Sequence, residues 1–183
     1  MSNTDKQYDQ IKKICLDIFT VKLKDYGAAW RIMRPTALTD QLYIKAQRIR
    51  SLQNKGTQKI LEGITPEFIG IVNYAIVGLI QLEMGVAAEP DISAGEAIER
   101  WNAYFEKARG LMHNKNHDYS EAWRSMRVSS LSDIILMKIM RVKQIEDNMG
   151  KTYVSEGVDA NYYDIVNYSV FALIKLELEG ANN

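Results

Sequence analysis

Asp25-Tyr26-Gly27-Ala28-Ala29-Trp30-Arg31-Ile32-Met33-Arg34 occurs a second time as Asp118-Tyr119-Ser120-Glu121-Ala122-Trp123-Arg124-Ser125-Met126-Arg127, with seven of ten positions identical. The register continues on both sides. At a spacing of 93, Lys22 pairs with Lys115, Leu38 with Leu131, Asp40 with Asp133, Lys45 with Lys138 and Arg48 with Arg141. After one inserted residue the spacing is 94. Glu62-Gly63 then pairs with Glu156-Gly157, Ile71-Val72-Asn73-Tyr74 with Ile165-Val166-Asn167-Tyr168, and Leu82-Glu83 with Leu176-Glu177. The chain is a module of about 90 residues written twice, and a repeat of this kind governs every later reading.

Each copy reads as a run of helices. In the first, Ile11, Ile14, Cys15, Ile18, Phe19 and Leu23 recur at three- and four-residue steps, which predicts an amphipathic helix over 5–24. Thr4 with Gln7 reads as its capping box. A short helical piece follows over 25–34, stopped by Pro35. Leu38-Thr39-Asp40 reads as staple, cap and first-turn acid of a helix to about Gln53, and Thr65-Pro66-Glu67 as the start of one that ends near Met84-Gly85.

Gly85–Asp91, with Glu89-Pro90, is the linker, and Ser93 with Glu96 makes the capping box of the second copy. Its helices are expected at 93–116, 119–127, 132–149 and 160–180, the second opening at Ser120 and the last capped by Asp159. No segment alternates with period two. The fold class is therefore all-α, a helical bundle built from two quasi-equivalent repeated modules: 1–84, a linker at 85–92, and 93–183.

Composition bounds the function. With 183 residues and 46% hydrophobic side chains the chain can bury a core. Its 23 basic and 23 acidic side chains cancel, which disfavours a long nucleic acid held by counterion release and leaves a small anionic ligand open. A lone Cys15 excludes an internal disulfide. Apolar runs fall short of a membrane span, since Asn73 and Gln81 interrupt Phe68–Leu82, and the N-terminus lacks a signal core, so a cytoplasmic location is expected. An oligomer is compatible with this composition.

Basic residues in an apolar arc are the candidate chemistry. Lys138 and Arg141 fall on the face that carries Ile135, Val142 and Ile145, and Lys45 and Arg48 occupy the same arc in the first copy. A partly desolvated cation needs a carboxylate or an anionic ligand. Arg31, Arg34, Arg124 and Arg127 add forked donors. Asn73 and Asn167 need partners if buried, and Tyr26, Tyr119, Trp30 and Trp123 offer stacking faces, with core packing the ordinary role of such aromatics. His113 and His117 have a metal-ligand spacing on one helix face, but Thr20 and Lys24 stand in their places in the first copy.

Lys115-Asn116-His117-Asp118-Tyr119-Ser120, Lys138-x-x-Arg141, Glu156 and Asp164-Ile165-Val166-Asn167-Tyr168 together resemble the first nucleotide modification associated domain family, found in bacteria and their phages. The resemblance implies functional positions at Lys115, Asp118, Tyr119, Lys138, Arg141, Glu156, Asp164, Asn167 and Tyr168. In the first copy they are Lys22, Asp25, Tyr26, Gly27, Lys45, Arg48, Glu62, Asn73 and Tyr74. Gly70 stands opposite Asp164, so the first copy lacks that carboxylate.

Three readings stay open. One is binding of a nucleotide or small phosphorylated ligand, with Lys138, Arg141 and Arg124 on phosphate and Asn167 or Tyr168 on the base. A second is an all-helical pyrophosphohydrolase in which Glu156 and Asp164 hold Mg²⁺. The third is an interaction module whose repeated charges pair internally.

Overall fold

The computed structural model describes residues 3–55, 63–154 and 156–180; the side chains of 117–119 lie outside the description. Helix α1 spans Asn3–Tyr26, α2 Pro35–Lys55, α3 Ile64–Met84, α4 Ala94–Tyr119, α5 Val128–Asp147 and α6 Val158–Leu173. Single 3₁₀ turns at Ala29–Ile32 and Ala122–Ser125 follow α1 and α4, and a π turn at Ile174–Leu178 extends α6. There is no strand among the described residues, and the all-α expectation holds.

Several helix starts differ from expectation for a common reason. Helix α2 begins at Pro35, whose fixed φ suits the first helical position, so Thr39 is interior and fully buried. Its hydroxyl donates to Glu146 Oε1 at 2.7 Å, with Pro35 O a longer 3.2 Å away. Thr4 likewise lies inside α1 and bonds Glu121, and Thr65 lies inside α3 and donates to Glu177 at 2.6 Å. Neither α3 nor α6 has a side-chain cap, so Asp159 is a first-turn acid. Ser93 does cap α4, accepting from Glu96 N at 3.1 Å. Ser120 ends α4 in the left-handed region (φ 50°), as Gly27 follows α1 at φ 61°.

Helices α2, α3, α6 and α5 pack in a closed ring, with α1 and α4 laid against α3 and α6 and against each other. Both modules contribute to one hydrophobic core, in which Trp101 stacks between Phe19 and Phe105 at 6.2 and 5.1 Å. By length and composition α3 would pass for a membrane span, contrary to expectation, but 67% of that stretch is buried in the bundle.

Pairs of contacts related by the repeat show that the halves pack about a pseudo-twofold. Gln53 donates to Ser132 at 3.0 Å as Thr39 donates to Glu146. Arg50 faces Asp133 at 3.9 Å, and Lys143 pairs with Asp40. Tyr8 donates to Asn167 Oδ1 at 3.2 Å as Trp101 donates to Asn73 Oδ1 at 3.0 Å. The linker is held down by Arg31, which is 2% exposed. Its guanidinium donates to Asp91 Oδ1 at 2.7 Å and to Gly85 O at 2.8 Å.

Candidate functional site

Each module has a cleft between the end of its first helix, its 3₁₀ turn and its last helix. The first is a cavity of about 350 Å³. Lys22, Tyr26 and Phe19 come from α1, Trp30 and Ile32 from the turn, and Gly70, Asn73, Tyr74 and Val77 from α3. Gly27 allows the chain to reverse here without strain, its amide donating to Leu23 O at 2.9 Å. Burial pushes the Tyr26 hydroxyl pKa up, with Tyr74 and Asp25 adding to the effect. Lys22 makes no ion pair with a described residue.

The second cleft, about 410 Å³, uses the repeat-related positions. Lys115 stands for Lys22, Trp123 for Trp30, Asp164 for Gly70, Asn167 for Asn73 and Tyr168 for Tyr74. Trp123 stacks on Phe171 with ring centroids 4.2 Å apart. The two clefts share an unusual feature. Trp30 and Trp123 are 9% and 5% exposed, and each buries an indole N–H that has no acceptor among the described residues. Buried donors are almost always paired, so the same orphan in both copies is a shared feature that the packing of the described residues leaves unexplained.

Electrostatics separate the clefts. Asp164 accepts from both Lys115 and Lys138, the latter at 2.8 Å. Burial alone would lower the Lys115 pKa, but the Asp164 carboxylate outweighs it and holds the ammonium above its usual range. In the first module Gly70 leaves room that the Lys45 stem fills, since a Cβ there would lie 2.8 Å from Lys45 Cε. Lys45 and Arg48 both pair with Glu67, each at 3.3 Å. Glu67, one turn before Gly70, was absent from the sequence candidates, although its position on the Gly70 face of α3 was a readable signal.

The asparagines serve the core. Asn73 donates to Cys15 O at 3.1 Å while accepting from Trp101, and Asn167 donates to Ala108 O at 2.9 Å while accepting from Tyr8. Arg124 is likewise engaged, by Glu121 at 2.7 Å, Glu179 at 2.6 Å, Thr4 at 2.7 Å and Gln7 at 2.8 Å, and it lines neither cleft.

Of the residues singled out in the sequence, the clefts bring together Lys22, Tyr26, Asn73 and Tyr74, and Lys115, Asp164, Asn167 and Tyr168. Lys45 does not line the first cleft, but its ammonium is 5.7 Å from the Tyr74 ring centre. Asp25 and Arg48 are exposed and line neither cleft. Lys138, Arg141 and Glu156 border a third cavity. Glu62 and the side chains of Asp118, Tyr119 and His117 lie outside the described residues. His113 Nε2 is 3.0 Å from Asp5. No cluster of three or more His, Cys, Asp or Glu forms among the described residues. Two ammonium groups already meet the Asp164 oxygens, a charge setting that suits Mg²⁺ poorly.

A family model described as nucleotide modification associated domain 1 matches residues 22–82 and again 115–176. Comparisons with curated proteins and with solved structures returned no match. Each family match opens on a cleft lysine, Lys22 or Lys115, and runs through the asparagine and tyrosine of the same cleft. On the strength of two matches that together cover more than half of its length, the chain belongs to the nucleotide modification associated domain 1 family and carries the domain as two tandem copies.

Proposed function

We propose that the protein binds a nucleotide, or a closely related phosphorylated nucleobase compound, in its two clefts. The observation that carries this reading is the unpaired indole N–H of Trp30 and Trp123, repeated at equivalent places. The indole N–H is covered in the ligand-free fold, so a ring nitrogen or carbonyl of a base reaches it as the cleft opens and supplies the missing acceptor; the ring of Tyr74 or Tyr168 supplies a packing face, and Lys22 or Lys115 meets phosphate oxygen. Cavities of about 350 and 410 Å³ fall in the range of small-molecule sites. The family description, nucleotide modification associated domain 1, points to the same ligand class.

Much of the repeated charge has a structural role. Arg31, Arg124, Lys45 and Arg48 are all paired internally, which supports the interaction-module reading for those residues. It leaves the indoles unexplained. The hydrolase reading is the least supported, because the Asp164 oxygens serve Lys115 and Lys138.

Tryptophan fluorescence and thermal shift with a panel of nucleoside mono- and triphosphates test the reading. A nucleotide at 100 times its dissociation constant should stabilise the fold by about 2.7 kcal/mol. Trp30→Phe and Trp123→Phe keep the ring and delete the orphan donor. Each should weaken its own cleft about tenfold, roughly 1.4 kcal/mol, with little change in the ligand-free melting temperature. Unchanged nucleotide affinity in both variants, or no nucleotide response in the parent, would overturn it.

A further inference from the structure

The repeat makes each module a reference for the other, and one position differs in a way that leaves a chemical demand. Glu67 of the first module pairs with both Lys45 and Arg48, one carboxylate oxygen to each. The spacing of 94 puts Asn161 in its place, where an amide supplies no charge. Lys138 instead pairs with Asp164, at 2.8 Å, and Arg141 makes no ion pair with a described residue. Asn161 is 1% exposed; its Nδ2 donates to Gly157 O at 2.8 Å, and its Oδ1 receives no hydrogen bond from a described residue. Arg141 and Asn161 both line a cavity of about 460 Å³, bordered also by Lys138, Glu156, Met137 and Met140.

We propose that this cavity is a second ligand site, distinct from the clefts, for a phosphate ester that carries hydroxyl groups, as a sugar phosphate does. Its phosphate oxygens meet the Arg141 fork and the Lys138 ammonium, replacing the carboxylate that Glu67 supplies in the first module. Glu156 accepts from a hydroxyl of the ester, and its charge disfavours a bare phosphate ion that brings no such donor. The first module cannot form this site, because Glu67 already fills it. The inference is independent of the cleft reading, since it rests on different residues and a different cavity.

Calorimetric titration of the full chain with ribose 5-phosphate, ribose and inorganic phosphate tests it. Ribose 5-phosphate should bind, ribose should not, and inorganic phosphate should bind at least tenfold more weakly. Asn161→Glu installs the first module's counter-ion: it should abolish ribose 5-phosphate binding and raise the ligand-free melting temperature. Arg141→Gln should weaken binding at least tenfold, whereas Trp123→Phe should leave it unchanged even if it empties the cleft. No binding of ribose 5-phosphate to the parent, parent-like binding by Asn161→Glu, or loss of binding in Trp123→Phe would each overturn the proposal.

Discussion

Replacing Asn73 by alanine tests whether this repeated amide belongs to the core or to a ligand. Asn73 Oδ1 accepts from the indole of Trp101, a residue with no exposed surface, at 3.0 Å, and its Nδ2 donates to Cys15 O at 3.1 Å. Alanine would orphan the Trp101 donor, which costs about 1–3 kcal/mol. The Cys15 carbonyl lies inside α1 and keeps its helical partner, so that loss is smaller, about 0.5–1.5 kcal/mol. The expected total is about 3 kcal/mol, or roughly 6–12 °C in melting temperature for a chain of this length. Thermal and urea unfolding measure it. A double-mutant cycle with Trp101→Phe, which removes the donor that would be orphaned, should recover 1 kcal/mol or more, on the order of neighbouring-pair couplings. A melting temperature within about 1 °C of the parent, together with loss of nucleotide binding, would refute the core assignment and give the amide to the ligand.

Glu146 lies at the α2–α5 contact, where burial pushes its pKa up against the hydrogen bond from Thr39. An acid whose folded-state pKa is raised pays for ionisation in the fold, so stability is lost as pH rises from the ordinary glutamate range through the raised value. Glu146→Gln, which installs the type found at the repeat-related Gln53, should raise the melting temperature by about 1–3 °C near neutral pH and by almost nothing near pH 4, measured as the variant-minus-parent difference. Asp164→Asn leaves Lys115 and Lys138 without their shared carboxylate. Because those lysines are 55% and 21% exposed and can turn to water, the expected loss is about 1–2 kcal/mol rather than the 3–5 of a sealed pair. Denaturation with no vanishing coupling to Lys138→Met in a double-mutant cycle would bear this out; zero coupling would refute it. Residues 1–92 alone should be monomeric only when unfolded and should fold as a concentration-dependent homodimer, checked by sedimentation and circular dichroism; a folded monomer would contradict the shared core.

The helices were legible because their apolar spacing is local, and the duplication was legible because seven positions of the central stretch coincide. Caps were not. Thr4, Thr39 and Thr65 all looked like helix starts, yet each gives its hydroxyl to a glutamate more than 100 positions away, Glu121, Glu146 or Glu177. A local rule loses when tertiary structure brings a charged acceptor to the hydroxyl. Exposed Ser93 has no such competitor and does cap. The site divides in the same way. Sequence showed the residue types Asn73, Asn167 and Arg124, but their partners Trp101, Tyr8 and Glu179 come from other elements. It placed Trp30 and Trp123 in the core, which the packing of their rings bears out; that their N–H groups would find no acceptor among the described residues depends on tertiary packing, and no pattern in the sequence encodes it.

Contacts that cross the pseudo-twofold are reciprocal, and this explains how the two copies came to differ chemically without losing the fold. Tyr8 and Trp101 each complete the other module's asparagine, and the Gln53–Ser132 and Glu146–Thr39 pairs exchange roles across α2 and α5. Such a core constrains both copies at those positions, because changing one member leaves a buried polar group without a partner. The Lys-x-x-Arg pairs escape the constraint. Their counter-ions, Glu67 and Asp164, come from the last helix of the same module, so a carboxylate can move one turn along that helix without disturbing the other half. In the first module it sits at position 67 and satisfies both cations; in the second it sits three residues further on, reaches Lys138 and Lys115, and leaves Arg141 facing a cavity. One scaffold therefore presents two electrostatically different faces, and the freedom to diverge lies where the symmetry makes no demand.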